Sequence, residues 1–281
     1  MIARILRRFS YERELRMVWE VERGGLRSYL AGTAHFFPYH FRASLRRYIA
    51  RVDRVLFEGP LDEDTAAQVA AAGLAGGGAP SLVGRLEAGA IERIEREIGG
   101  AASSLSSHSL CRQLLGLHPE GLNWEQLEGM RPWMAFFQIW SQYLRKNGWT
   151  YTMELDALRV ATELGRQVQF LETIEEQIDA LERVPLGRFV NFLERADWQQ
   201  SRRAHVRHYL TGDLEGMMAR VSPYPTFCDA IIKQRDPVLS ERMQRFFERG
   251  RAMAFVGVSH CRGVRAFLTE HGYRVRSPAE V

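Results

Sequence analysis

The sequence predicts an α/β fold, a mixed central sheet carrying two strand–Gly-x-x-His–helix units and a large helical insertion or cap. Three observations predict it. Gly32-Thr33-Ala34-His35 and Gly257-Val258-Ser259-His260 each follow an apolar, strand-like run and each lead into a helical pattern. A third apolar run, Val55-Leu56-Phe57, ends at Glu58-Gly59. From about residue 62 to 150 the apolar spacing is helical instead.

The elements follow in chain order. Val18-Trp19-Glu20-Val21 and Ser28-Tyr29-Leu30-Ala31 flank Gly24-Gly25, a dipeptide suited to a two-residue hairpin turn. After His35 and Pro38, a helix from about Ala43 to Ala50 places Leu45, Tyr48 and Ile49 on one side and arginines on the other. The strand Arg54–Phe57 completes a strand–helix–strand unit, which favours a parallel pair with a right-handed crossover. In the insertion, an alanine-rich helix over 66–74 ends at Gly76-Gly77-Gly78. Residues 81–99 and 109–117 give further helices around Ser103-Ser104-Leu105-Ser106-Ser107. Pro132 suits the first turn of a long apolar helix, Trp133 to Leu144, closed by Gly148. Such a block between strands reads as a cap.

A helix from Glu154 to Glu163 stops at Gly165, and the strand Gln167 to Leu171 ends at Glu172. Thr173 and Glu176 have the spacing of a capping box. Residues 185–249 are helical, with breaks near Gly212, Pro223 and Pro237. A strand over 252–256, a helix from His260 to about Glu270 and a short strand Tyr273 to Arg276 finish the pattern. This is read as one domain over 1–281, with the sheet core in 17–60 and 150–281 and a basic extension over 1–16.

Composition narrows the class. At 281 residues, 46% hydrophobic and 26% charged, the chain can bury a full core and is not a disordered polymer. The net charge of +4 comes with no RNA-binding, zinc-finger or helix-turn-helix signature, so nucleic acid is not an expected partner. Cys111, Cys228 and Cys261 lack C-x-x-C spacing and suggest reduced thiols in the cytoplasm. No apolar stretch approaches the roughly 18 residues of a membrane span. Ile2, Ile5, Leu6 and Phe9 share a helical face at a basic N-terminus that lacks a secretory apolar region; a short docking helix or a frayed end is expected there.

Four polar residues fall at predicted strand ends: His35, Glu58, Glu172 and His260. Carboxyl ends of strands are where open α/β sheets build sites. Two imidazoles and two carboxylates suit a divalent ion, with zinc, manganese, cobalt or iron favoured over calcium or magnesium. A carboxylate left off the metal would act as general base on a metal-bound water. Gly32 and Gly257 leave room for something to approach the backbone. Taken singly, each residue has an ordinary explanation: a hydrogen-bonded histidine, a salt-bridged Glu58, a Glu172 charging a helix N-terminus. The recurrence of the Gly-x-x-His turn is what favours a site.

Other motifs are missing. There is no H-E-x-x-H, no Gly-x-Ser-x-Gly elbow and no Walker loop. Cys261 beside His260 reads as a small buried residue in preference to an activated thiol. Trp133, Phe136, Phe137 and Trp140 read as packing. Arg235, near a helix break, reads either as a surface arginine or as a clamp for a carboxylate or oxyanion.

In this order the residues resemble the TraB/PrgY/GumN family, whose wider group includes the Tiki metalloproteases and, more remotely, erythromycin-esterase-like and ChaN-like proteins. The resemblance runs through Val18-Trp19-Glu20-Val21, Gly32 to His35, Phe57-Glu58, Arg131-Pro132-Trp133, Thr152-Met153-Glu154, Leu164 to Val168, Leu171-Glu172-Thr173 with Gln177, Arg235-Asp236, and Gly257 to His260 with Gly263. Thr152 stands where glycine is usual, Gln167 where proline is, and Asp236 where asparagine is. The membrane segments and secretion signals of some branches are not seen.

The resemblance implies a metal-dependent hydrolase, peptide cleavage being the activity of the Tiki branch. It carries over His35, Glu58, Glu154, Glu172, Arg235 and His260 as site residues. The expectation is a metallopeptidase with His35 and His260 as ligands, helped by Glu58 or Glu172. The remaining carboxylate would be the base and Arg235 the oxyanion partner, with Glu154, Arg235, Gly32 and Gly257 on the substrate side. The competing expectation is a non-catalytic protein sequestering a peptide or small ligand in the same cleft; a haem- or iron-binding protein is a further one. Monomer and homodimer are both open.

Overall fold

The chain opens its sheet with a hairpin. Strands β1 (Val18–Arg23) and β2 (Leu26–Thr33) pair antiparallel, Val18 opposite Ala31 and Arg23 opposite Leu26. Gly24 and Gly25 turn between them with φ of 57° and 79°, the left-handed pair that this tight turn demands. This computed structural model describes residues 11–74, 80–99 and 122–278. The expected helix over 109–117, the Ser103–Ser107 run, Gly76 to Gly78, Cys111 and residues 1–10 lie outside the described residues.

Helix α1 (Arg42–Ile49) and strand β3 (Arg54–Phe57) follow, then α2 (Glu63–Leu74), α3 (Ala88–Ile98), α4 (Trp124–Glu128) and α5 (Pro132–Lys146), which begins on Pro132 as expected. After α6 (Met153–Glu163) comes β4 (Gln167–Phe170), then α7 (Ile174–Glu182), α8 (Leu186–Leu193), α9 (Trp198–Thr211) and α10 (Leu214–Val221). The chain closes with α11 (Ile232–Phe247), β5 (Ala252–Gly257), α12 (Cys261–Glu270) and β6 (Arg274–Arg276). Thr173 and Glu176 form the expected capping box at the head of α7. No strand falls between β3 and β4 among the described residues, so the helical insertion is seen as such.

The six strands lie in the order β4-β3-β5-β2-β1-β6. The first four are parallel, β1 runs against β2, and β6 runs against β1. The mixed α/β sheet matches the expectation, with one difference: β2 and β3 are parallel but not neighbours, because β5 separates them. Burial gives the reason. Every residue from Ala252 to Val256 is at most 1% exposed, so β5 is covered on both faces and takes the centre that an all-apolar strand requires.

One further difference concerns a local break. Pro237 does not end its helix but sits inside α11. Its missing N–H removes one bond, to the Lys233 carbonyl in the first turn, which a sixteen-residue helix tolerates. The N-terminal extension is docked from residue 11 onward: the Arg13 N–H bonds the His40 carbonyl, the His40 N–H bonds the Tyr11 carbonyl, and Leu15 is buried.

The insertion is packed by aromatic rings, as expected for Trp133, Phe136, Phe137 and Trp140. Phe136 lies 5.2 Å from Phe189 and 5.6 Å from Phe192, and Trp140 meets Trp198 edge to face at 5.4 Å. Near the sheet, His205 stands against Phe37, Trp149 and Tyr209. Its Nε2 is enclosed with no hydrogen-bond partner, and burial pushes its pKa down to about 4. No helix among the described residues is long and apolar enough to cross a membrane.

Candidate functional site

Because β4, β3, β5 and β2 run parallel, their carboxyl ends lie along one edge of the sheet. In that order they deliver Glu172, Glu58, His260 and His35. Local chemistry places each one. Glu172 follows β4 and its N–H bonds the Glu58 carbonyl at 2.6 Å. Glu58 follows β3 and its Oε1 accepts the Gly257 N–H at the end of β5. His260 closes a turn in which its own N–H bonds the Gly257 carbonyl at 2.8 Å.

Arg235, on α11, enters the middle of this row. Its Nε donates to Glu172 Oε1 at 2.9 Å and its Nη2 to Glu172 Oε2 at 2.5 Å. The same Nη2 donates to Glu58 Oε2 at 2.9 Å, while Nη1 lies 3.4 Å from His260 Nε2. The side chain is 13% exposed, so this arginine is neither at the surface nor free to reach out. Burial opposes ionisation of Glu58, but His260, Arg235 and the Gly257 N–H hold it down to about 2. A carboxylate that acidic is a poor proton acceptor at neutral pH.

The two histidines share a second feature. His260 Nδ1 lies 2.6 Å from Asp236 Oδ1, and His35 Nδ1 lies 2.9 Å from Glu154 Oε1. Each imidazole thus faces a buried carboxylate at Nδ1, His260 through a hydrogen bond and His35 through an ion-pair contact with a Glu154 whose oxygens accept no hydrogen bond, and Nε2 stays outside the pair. Their settings differ. His260 is 2% exposed, whereas the His35 ring is 75% exposed at the rim. The Glu154 carboxylate raises His35 to about 9; solvent around the ring screens part of that pull, and the ring keeps its proton at neutral pH. Burial works against the charge of Glu154, yet His35 holds it below the ordinary carboxylate range. Burial raises Asp236, against the pull of His260.

The glycines serve the fold at close range. A Cβ on Gly257 would lie 3.2 Å from Glu58 Oε1, and one on Gly32 would lie 2.9 Å from the Cys261 sulfur. What approaches these backbones is the protein itself. Cys261 is buried, and burial pushes its thiol far up, as the small-core-residue reading expects. Tyr209, buried on α9, donates to the Gly32 carbonyl at 2.6 Å and steadies the first turn.

Asp236 is the participant that the residue pattern alone did not single out. The only signal was its place beside Arg235, and its role depends on a helix continuing through Pro237. Gly263 on α12 makes room for it: a Cβ there would stand 2.8 Å from Asp236 Cγ and 3.2 Å from its Cβ. Gly263→Ala should therefore push Asp236 off His260 and cost about 1–3 kcal/mol, despite the better helix propensity of alanine. Chemical denaturation checks this; a neutral or stabilising result would show that Asp236 is not locked in place.

The expected divalent ion can be tested against this donor set. Imidazole nitrogens and carboxylates are ligands that zinc, manganese, cobalt and iron accept. Here, however, the carboxylates are spent on a guanidinium. Among the described residues no group of three or more His, Cys, Asp or Glu side chains is placed to hold a metal ion. As arranged, the residues fit Arg235 and do not fit a divalent ion.

A model of the TraB/PrgY/gumN family matches residues 17–277 of the chain. No curated protein matches it, and no solved structure does.

Proposed function

We propose that this chain, which belongs to the TraB/PrgY/gumN family, is a hydrolase whose reaction centre is the edge where β2 and β5 end. One observation carries the reading: the two Gly-x-x-His imidazoles, on adjacent parallel strands, each face a buried carboxylate at Nδ1. That is the arrangement of a general base and a general acid, with the third group orienting each ring. The peptide as substrate class comes from the family resemblance.

In this mechanism His260, with Nδ1–H donated to Asp236, uses Nε2 to take a proton from an attacking water. The water oxygen adds to the substrate carbonyl, and charge develops on the carbonyl oxygen. His35, protonated through Glu154, stabilises that oxygen and then supplies the proton that the leaving amine takes. Glu58 and Glu172 are too strongly tied to Arg235 to act as base. Their task is to hold the guanidinium among the strand ends. This redistributes the roles expected from sequence, where a glutamate was the base and Arg235 the oxyanion partner.

A peptide-library screen with the purified chain tests the reading. His260→Gln should lower kcat/KM by about 10²- to 10⁴-fold on any substrate found, and His35→Gln should lower it as well. Turnover that survives the double variant would remove both histidines from the chemistry. The competing reading is a protein that binds without turnover, and one observation favours it: the Glu58–Arg235–Glu172 network is already closed on itself, as a rigid binding cleft would be. It predicts a thermal shift with peptide and no product.

A further inference from the structure

We infer that the resident cation of this strand-end site is the Arg235 guanidinium, and that the chain carries no divalent metal there. Glu58 Oε1 accepts the Gly257 N–H, and Glu58 Oε2 accepts Arg235 Nη2. Glu172 Oε1 and Oε2 accept Arg235 Nε and Nη2. His260 Nδ1 is hydrogen-bonded to Asp236, and His35 Nδ1 lies in ion-pair contact with Glu154. That leaves the two imidazole Nε2 atoms, Asp236 Oδ2 and the buried Glu154 oxygens, which accept no hydrogen bond. One Nε2 faces Arg235 Nη1 at 3.4 Å, and among the described residues no three His, Cys, Asp or Glu side chains are placed to share one ion. A zinc-type site needs three or four protein donors at about 2.0–2.3 Å.

Charge gives the same answer. Burial opposes the charge of Arg235, but Glu58 and Glu172 more than offset that and raise its pKa above the already high arginine value. The guanidinium stays charged at every working pH. A divalent ion within bonding distance of the same oxygens would press against it, and like charges repel strongly where water is excluded. One delocalised cation with a planar fork matches two carboxylates side by side, a geometry a lysine or a spherical ion would not reproduce. The positive charge expected from a metal is thus supplied by the chain.

The test reads binding, so it stands apart from whether the chain hydrolyses anything. The full chain, stripped with a chelator, is titrated separately with manganese, cobalt and zinc chlorides, with elemental mass spectrometry and thermal melts in parallel. Wild type should retain substoichiometric metal and melt at the same temperature with chelator or metal. Arg235→Ala frees both glutamates and should gain saturable binding, with a melting rise of roughly 5 °C at saturation. Arg235→Lys keeps the positive charge without the planar fork and should, like wild type, gain no saturable metal binding, which separates loss of charge from loss of the fork. Stoichiometric metal in wild type that His260→Ala abolishes would overturn the inference, whatever the Arg235 variants do.

Discussion

Arg235→Met lowers the stability of the chain by about 3–5 kcal/mol at pH 7, the usual penalty for stranding buried charge. Glu172 and Glu58 side chains are 3% and 15% exposed and both lean on this one guanidinium. Methionine fills much of the same space, so the loss is electrostatic in origin. Two companion measurements isolate it. Adding Glu58→Gln and Glu172→Gln to Arg235→Met should recover much of the deficit, since neutral amides need no counter-ion. Acid should also shrink the deficit, because the stranded carboxyls protonate. Denaturant titrations at pH 7 and pH 4 check both, and a loss below about 1 kcal/mol would mean that the network contributes little.

Between pH 6.5 and 4 the protein loses up to about 3 kcal/mol through a single ring, His205. Its pKa is about 4 in the fold and about 6.5 in an unfolded chain. The depressed value means that its contribution is fully present above pH 6.5 and is lost as pH falls through 4. His205→Phe keeps an aromatic ring among Phe37, Trp149 and Tyr209 and removes the proton acceptor. Its stability should stay nearly flat over that window while wild type declines, and parallel curves would rule His205 out. Glu58, held at about 2, extends the acid loss below about pH 4.3. His35 acts on the other side: raised to about 9, it stabilises below pH 6.5 and loses that effect as pH rises through 9.

Local signals in the sequence were strong where chemistry is local. The Gly24-Gly25 turn, the Thr173–Glu176 capping box and Pro132 at a helix start depend on residues a few positions apart, and each is found as expected. The placing of His35, Glu58, Glu172 and His260 at strand ends was legible for the same reason. The strand order was not. Nothing near β2 or β3 says that β5 will lie between them, because that choice is made by burial across the whole sheet. Arg235 was legible as a residue type and not as a hub, since its depth depends on where α11 packs. Asp236 was hidden by Pro237, whose usual meaning as a helix break conceals that the helix continues and aims the carboxylate at His260.

The central position of β5 has a consequence for how the chain is made. Ala252 bonds the Ser28 hydroxyl across 224 residues of sequence, and Gly257 bonds Glu58 across 199. During synthesis β2 and β3 leave the ribosome early, each with a hydrogen-bonding edge whose partner has not yet been translated. Such long-range pairing makes folding slow and leaves those apolar edges open to neighbouring chains. The sheet and the row of charged residues at its edge are therefore completed together, in one late step that waits for β5.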